Sequence, residues 1–480
     1  MRARIFAEEN RRWWTLGSLC FALFMIMLDN TVVNVALPAI KADLGISTAE
    51  LEWTVAAYAL TFASLLLTGG KLGDLLGRRL LFTIGLVIFT LSSLACGLSS
   101  SAPELIGARA VQGVGAALMM PATLSIISAT FAVKERGTAI GIWAGVSAMA
   151  LAIGPLLGGI ITEHISWNWI FFINVPIGVI AVLSAIFVIP ESKDTSREQR
   201  LDLPGLLTSG IGLLALVYSL IEANQYGWTS PRILGLFVVA AVALTAFVLL
   251  ELHQRLPMLD LSLFKNGTFA GANLVAILVT LAMFGIFVFF PIYMQTFRGW
   301  SPTQAGAALL PWTLMIVVFA PIAGKLSDRI GSRWLMAGGM TTVAVCCLLL
   351  STVTLHSTFW HMLPAFVLGG LGMSFTMTPM SAAAMGAVPV AKAGVASGVL
   401  NTFRQVGVAL GIAIMGAIVA DRAASHGGPA PEAFVYGLTF GMKVSAVICL
   451  GAALASAVFV RHYRHHEESE QHQQQVEVAA

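Results

Sequence analysis

Charge is what this sequence has least of. Asp, Glu, Lys and Arg together make up 11% of its 480 residues, against about 25% in soluble domains. With 57% hydrophobic residues and a mean hydropathy of +0.85, a soluble globular core is excluded. Cysteine is scarce as well. All five (Cys20, Cys96, Cys346, Cys347 and Cys449) fall inside apolar runs, which predicts neither a disulfide framework nor a metal site. The chain also lacks metal-ligand spacing, a phosphate-cradling loop and any nucleophile–base set, so no enzyme chemistry, ATP hydrolysis or cofactor is expected. A nucleic-acid partner is not expected either. The first apolar run is too long for a removable signal peptide and lacks a small-residue cleavage site. Residues 462–480, rich in His, Gln and Glu, read as a solvated, disordered tail.

Long apolar runs, by contrast, are abundant. Fourteen occur, at about 13–39, 53–70, 81–99, 104–130, 138–162, 169–190, 203–221, 232–251, 268–296, 304–323, 335–354, 359–385, 394–420 and 437–460. Each is near or above the ~20 residues a helix needs to cross hydrocarbon. Between runs, Gly70-Lys71-Leu72-Gly73-Asp74-Leu75-Leu76-Gly77-Arg78-Arg79 recurs as Gly324-Lys325-Leu326-Ser327-Asp328-Arg329-Ile330-Gly331-Ser332-Arg333, with six of ten positions identical. Eight runs separate the copies, so both turns face the same side. Internal repeats laid out in this way mark secondary transporters. The expected fold is an all-α integral membrane protein. Residues 1–190 and 267–461 would form two six-helix bundles, and 191–266 a connector with two inserted helices.

Lys and Arg are retained in cytoplasmic loops. Twenty of the 27 fall on the side holding the termini and the repeated turns, and four (Lys41, Arg232, Arg298 and Arg422) on the other. Both termini are therefore expected in the cytoplasm, with the chain in the inner (cytoplasmic) cell membrane.

A carboxylate in a bilayer costs about 2.5–3.5 kcal/mol on insertion scales and usually faces a cavity or a partner. Asp29 alone sits well inside a run, about 15 Å from the outer end of its helix at 1.5 Å per residue. Such a group either takes up and releases a proton, contacts substrate, or is neutralised by a fixed Arg that locks two helices together. Asn30, Thr31 and Asn34 cover one arc beside it, suited to a wet cavity. Arg109, at a similar depth, is its natural partner, unless it snorkels to the outer interface. Gln112 shares the Arg109 face. In the second half, Asn401, Arg404 and Gln405 form the comparable polar group, either lining a cavity or bonding between helices. Trp143, with Phe and Met side chains, offers loose apolar contact, or else simple packing.

Gly154, Pro155, Gly158 and Gly159 lie near the outer end of the fifth run. They read either as close helix packing or as a hinge and seal near an outer gate. In the repeated turns, Gly70, Gly77 and Gly331 permit tight geometry. Asp74 can accept backbone N–H bonds at a following helix start, and Asp328 is its counterpart. Arg78 is expected to pair with Glu135 in the next cytoplasmic loop. The turns are either membrane-edge punctuation or a latch that breaks during alternating access.

These motifs carry a family resemblance. Gly70–Arg79 resembles motif A of the major facilitator superfamily, Arg109–Pro121 resembles motif B, and Ala150–Gly159 is similar to the antiporter signature, motif C. Leu28–Pro38 resembles the first-helix signature of the fourteen-helix drug:proton antiporter subfamily. The resemblance implies proton-driven export of small amphiphilic compounds from the cytoplasm; the chain is expected to act as a monomer. It further implies Asp29 as a protonation candidate, Arg109 as a proton-relay residue, and Asp74 with Arg78 in the latch. One departure stands out: Gly306–Ala323 lacks the additional acid used by relatives specialised for divalent organic cations. Proton-independent uptake of a nutrient and a non-transporting sensor on the same fold are the alternatives.

Overall fold

The computed structural model describes residues 8–46, 48–193, 202–254, 257, 259–300, 302–426 and 429–461. Every predicted run lies in a helix. The chain order is α1 Glu8–Leu44, α2 Thr48–Leu76, α3 Arg78–Leu98, α4 Ala102–Thr130, α5 Val133–His164, α6 Trp169–Phe172, α7 Asn174–Val188, α8 Leu203–Tyr226, α9 Pro231–His253, α10 Gly267–Ile292, α11 Pro302–Ala308, α12 Leu310–Ile330, α13 Arg333–Leu350, α14 Phe359–Gly386, α15 Ala393–His426 and α16 Ala430–Phe459. Among the described residues, thirteen helical segments are long and apolar enough to cross a membrane. The 32-residue α5 is a fourteenth long helix. All-helical architecture follows from the solvent: hydrocarbon offers no partner to backbone N–H and C=O groups, so each span must satisfy its own.

The helix starts are legible locally. Asp202, Ser230 and Asn266 cap α8, α9 and α10 by accepting backbone N–H bonds, and α8 and α9 each carry Pro at the first or second position, where its missing N–H costs nothing. One run is split. The predicted span over 304–323 is a short α11 followed by α12, because Pro311 near the start of α12 cannot continue the preceding helix.

The repeated decapeptide is less of a turn than its sequence suggests. Gly70–Leu76 finishes α2, and Gly324–Ile330 finishes α12. The chain reverses only at Gly77 and Gly331, both at positive φ (123° and 83°), where a Cβ would be strained.

One bundle is built from α1–α7 and the other from α10–α16. They meet twice beside the repeats, in the same manner. A Cβ on Gly70 would collide with the carbonyl oxygen of Gly394, and one on Gly324 with that of Gly137. Thus α2 crosses α15 and α12 crosses α5 at backbone-to-backbone distance, as small residues allow. Contact of α5 with α12 continues through Gly141 against Ala320 and Gly145 against Val317. The inserted α8 and α9 pack on each other, and α8 also lies against α2 and α15. Most of α9 is exposed, with Leu234, Val238, Val242, Leu249 and Leu252 facing outward.

Candidate functional site

Asp29 is buried in the middle of the first bundle, 1% exposed, and its carboxylate is fully coordinated. Oδ2 accepts from Arg109 Nη1 at 2.6 Å, while Oδ1 accepts from Gln112 Nε2 at 3.0 Å and from Asn174 Nδ2 at 3.1 Å. Two helices therefore converge on the acid that α1 carries: α4 supplies Arg109 and Gln112 at i,i+3, and α7 supplies Asn174. Arg109 is held on every side. Its Nη1 also donates to Gln112 Oε1 at 2.7 Å and its Nε to the Thr54 carbonyl at 3.2 Å. The guanidinium carbon lies 4.4 Å from the Tyr58 ring centre, within cation–π range. Asn174 Nδ2 also donates to Ser93 Oγ at 3.0 Å, but its Oδ1 is buried without a hydrogen-bond partner.

Arg109 thus pairs inward with Asp29 and does not snorkel. The sequence reading missed Asn174, Ser93, Thr54 and Tyr58. Asn174 left a signal: it is an amide several residues inside an otherwise apolar run. Thr54 contributes a backbone carbonyl, which no side-chain pattern reveals.

The remaining candidates fall in different surroundings. Trp143 is packed into the first bundle and donates to Thr123 Oγ1 at 3.2 Å. The side chains of Asn34 and Pro155 lie outside the described residues. Gly154 and Gly158 face Thr31 and Val32 of α1, so they bring α5 onto the Asp29 helix, while Gly159 has open space. Asn401 donates to the Ser397 carbonyl of its own helix at 2.9 Å. Arg404, 7% exposed, donates from Nη2 to Ser381 Oγ at 2.5 Å; its Nε is buried and unpartnered, and no carboxylate pairs with it among the described residues.

At the turn face, Asp74 reaches across to the other bundle. It accepts from Gly394 N at 2.9 Å and Val395 N at 2.8 Å, the first turn of α15, and from Arg78 Nη2 at 2.7 Å. A carboxylate there also meets the positive end of the helix dipole. Asp328 does the same with Gly137 N and Thr138 N of α5, at 2.8 and 3.0 Å. The expected Arg78–Glu135 pair does not form. Arg78 is instead spent on Asp74 and on the carbonyls of Val390 and Ala391, one helical turn being a far shorter reach than the next loop. Glu135 pairs with Arg12 at 2.5 Å.

Two repeated bundles meeting at matching glycines, with a buried ion pair inside the first, form the frame that the motifs anticipate. The family model for the major facilitator superfamily matches residues 19–279 and again 272–479. The chain belongs to that superfamily. This transporter is 37% identical over 458 residues to the puromycin resistance protein of Streptomyces alboniger, covering 94% of this chain and 91% of that one. It is 36% identical to the multidrug resistance protein Stp of Mycobacterium tuberculosis, over 85% of this chain and 75% of the relative. Its fold resembles the proton:xylose symporter XylE, with a TM-score of 0.69 at 15% identity, covering 95% and 97% of the two chains. The transporter is a multi-pass membrane protein and not an enzyme.

Proposed function

We propose that this transporter exports small amphiphilic drugs or metabolites from the cytoplasm in exchange for protons, as a monomer in the cytoplasmic membrane with both termini inside. Relatives named for resistance to puromycin and to multiple drugs support the direction and the class of cargo.

The observation that carries the proton half is the Asp29 knot. Three side-chain donors converge on the Asp29 carboxylate. A proton on Asp29 would remove the ionic half of its bond to Arg109 and require an acceptor. The orphan Oδ1 of Asn174 supplies one after rotation of the amide. That rotation turns the Asn174 N–H away from Asp29 and Ser93, so protonation trades those bonds for one donated by the acid and loosens Arg109 from α1. In the proposed cycle, cargo binding from the cytoplasm promotes proton loss, the two bundles (1–190 and 267–461) rock, and reprotonation from outside permits return. Gln112, Asn34, Asn401 and the incompletely satisfied Arg404 are the proposed polar contacts for cargo, with Trp143 among the apolar ones. Asp74 with Arg78 and Asp328 form the proposed latch, seated on Gly70, Gly77 and Gly331 and flanked by Glu135. The glycines Gly154, Gly158 and Gly159, with Pro155, set how α5 rides on α1.

The test compares wild type with Asp29→Asn in proteoliposomes, following ethidium under an imposed pH gradient. Uphill dye movement in wild type that is absent from the variant is the expected result. Equal gradient-driven movement in both would remove Asp29 from coupling. Movement insensitive to the gradient in wild type would make the protein a facilitator and Asp29 a structural lock.

A further inference from the structure

The inserted helices carry two carboxyl groups at their turn-face ends that the proposed cycle does not use. Asp202 caps α8, its Oδ1 accepting from Gly205 N at 2.9 Å and Gln254 Nε2 at 3.1 Å. Glu251, in the last turn of α9, accepts from Leu259 N through Oε2 at 3.0 Å. The two residues are 7% and 4% exposed. The other oxygen of each, Asp202 Oδ2 and Glu251 Oε1, is buried and has no hydrogen-bond partner. These two oxygens border one point, since a Cβ on Gly205 would lie within 3.0 Å of both. The missing side chain at Gly205 is what gives them room to converge.

Two buried carboxylates so placed disfavour each other's ionisation, and an unmade bond at each oxygen adds a desolvation cost. Neighbouring charges relieve this only in small part. Lys71 of α2 lies within Coulombic range of Glu251 but donates from its Nζ to the Pro257 carbonyl at 3.4 Å, not to either carboxyl. His253 is exposed and bonded to the Leu249 carbonyl, and Asp260 is taken up by Lys392. Arg255 lies outside the described residues. A single hydrogen between the two oxygens satisfies both. We propose that Asp202 and Glu251 share one proton, forming a proton-binding site on the inserted helices that is separate from Asp29. The O–H of one carboxyl donates to the facing oxygen of the other, and the pair carries one negative charge.

The loop leaving this site straddles the pinned gate. Pro257 is tied to Lys71 in the first copy of the repeat, and Asp260 to Lys392, just before α15, at 2.7 Å. The Lys392 hydrogen bond holds the Asp260 carboxyl down at about 2. The loop is thereby fastened to both helices that meet at Gly70 and Gly394. The shared proton holds α8 to α9 at the root of this strap, and its loss sets two like charges against each other there.

The test is infrared spectroscopy of the full-length purified protein near neutral pH, together with thermal unfolding across about pH 5–9. A protonated-carboxyl C=O band should be present in wild type and in Asp29→Asn, and lost in both Glu251→Gln and Asp202→Asn. The folded pair holds a proton that the unfolded chain releases at neutral pH, so wild-type stability should fall as pH rises. Glu251→Gln donates a permanent N–H to Asp202 and should lose that dependence. An unchanged acid band in both variants overturns the proposal, as does a wild-type alkaline decline no steeper than that of Glu251→Gln. Neither readout uses cargo, so the outcome is independent of the transport assay.

Discussion

A buried charge is only as well placed as its least-served atom, and in the Asp29 knot that atom belongs to Asn174. Replacing Asn174 with Leu removes one charge-assisted donor from Asp29, a bond worth about 1.5–3 kcal/mol. In the proposed cycle gradient-driven transport should then fall by roughly tenfold or more. Measuring uptake rates in vesicles under an imposed pH gradient reads this directly, and an unchanged rate would separate Asn174 from coupling. Arg109→Lys should be worse than conservative. An ammonium cannot serve Asp29, Gln112 and the Thr54 carbonyl while lying over Tyr58. We expect gradient-driven transport to fall by roughly tenfold or more, on the scale of losing one to two charge-assisted bonds, with the protein still folded by size-exclusion profile. The Asp29–Arg109 partnership was legible in the sequence because ionised residues are so rare within the runs. Asn174 was not, because an amide alone in an apolar helix is no different in pattern from one that bonds its own backbone, as Asn401 does here.

Helices here are specified as much by where side chains are missing as by where they are present. Gly70→Val and Gly324→Val each push a side chain into the carbonyl of the opposing helix. Spin labels placed across α2–α15 or α5–α12 at the turn face should report a wider separation in these variants than in wild type. Gly77→Ala acts differently, through backbone strain at φ 123° and by crowding the Glu191 carboxylate. It should cost about 1–2 kcal/mol and lower the melting temperature without widening the gate. The repeat itself announced that these glycines mattered, and its period revealed the pairing of the copies. Its conformation was harder to read: Gly73 and Ser327 look like turn formers, yet they lie within α2 and α12 because long apolar helices carry them along. The reach of Asp74 to Gly394, 320 residues away, is a tertiary fact that no local pattern encodes.

For the molecule as a whole, the twenty-to-four division of basic residues makes a directional prediction. All five native cysteines are buried, so a single new thiol can be labelled against a quiet background. A membrane-impermeant maleimide applied to intact cells should modify a cysteine placed at the exposed Arg232 and spare one at the exposed Lys193. Reversed labelling would turn the proposed topology over. The count of spans and the two-bundle plan could be read from hydropathy and the repeat alone, whereas the crossing of the bundles depended on which glycine met which carbonyl. The two crossings are also unequal. Arg78 joins Asp74 on one side, and on the other its position is taken by Ser332, whose hydroxyl pairs with that of Ser327. In the proposed cycle, the edge with the extra guanidinium is the hinge post and the other the catch: α5 and α12 are expected to part first, opening the turn face like a door hung on α2 and α15.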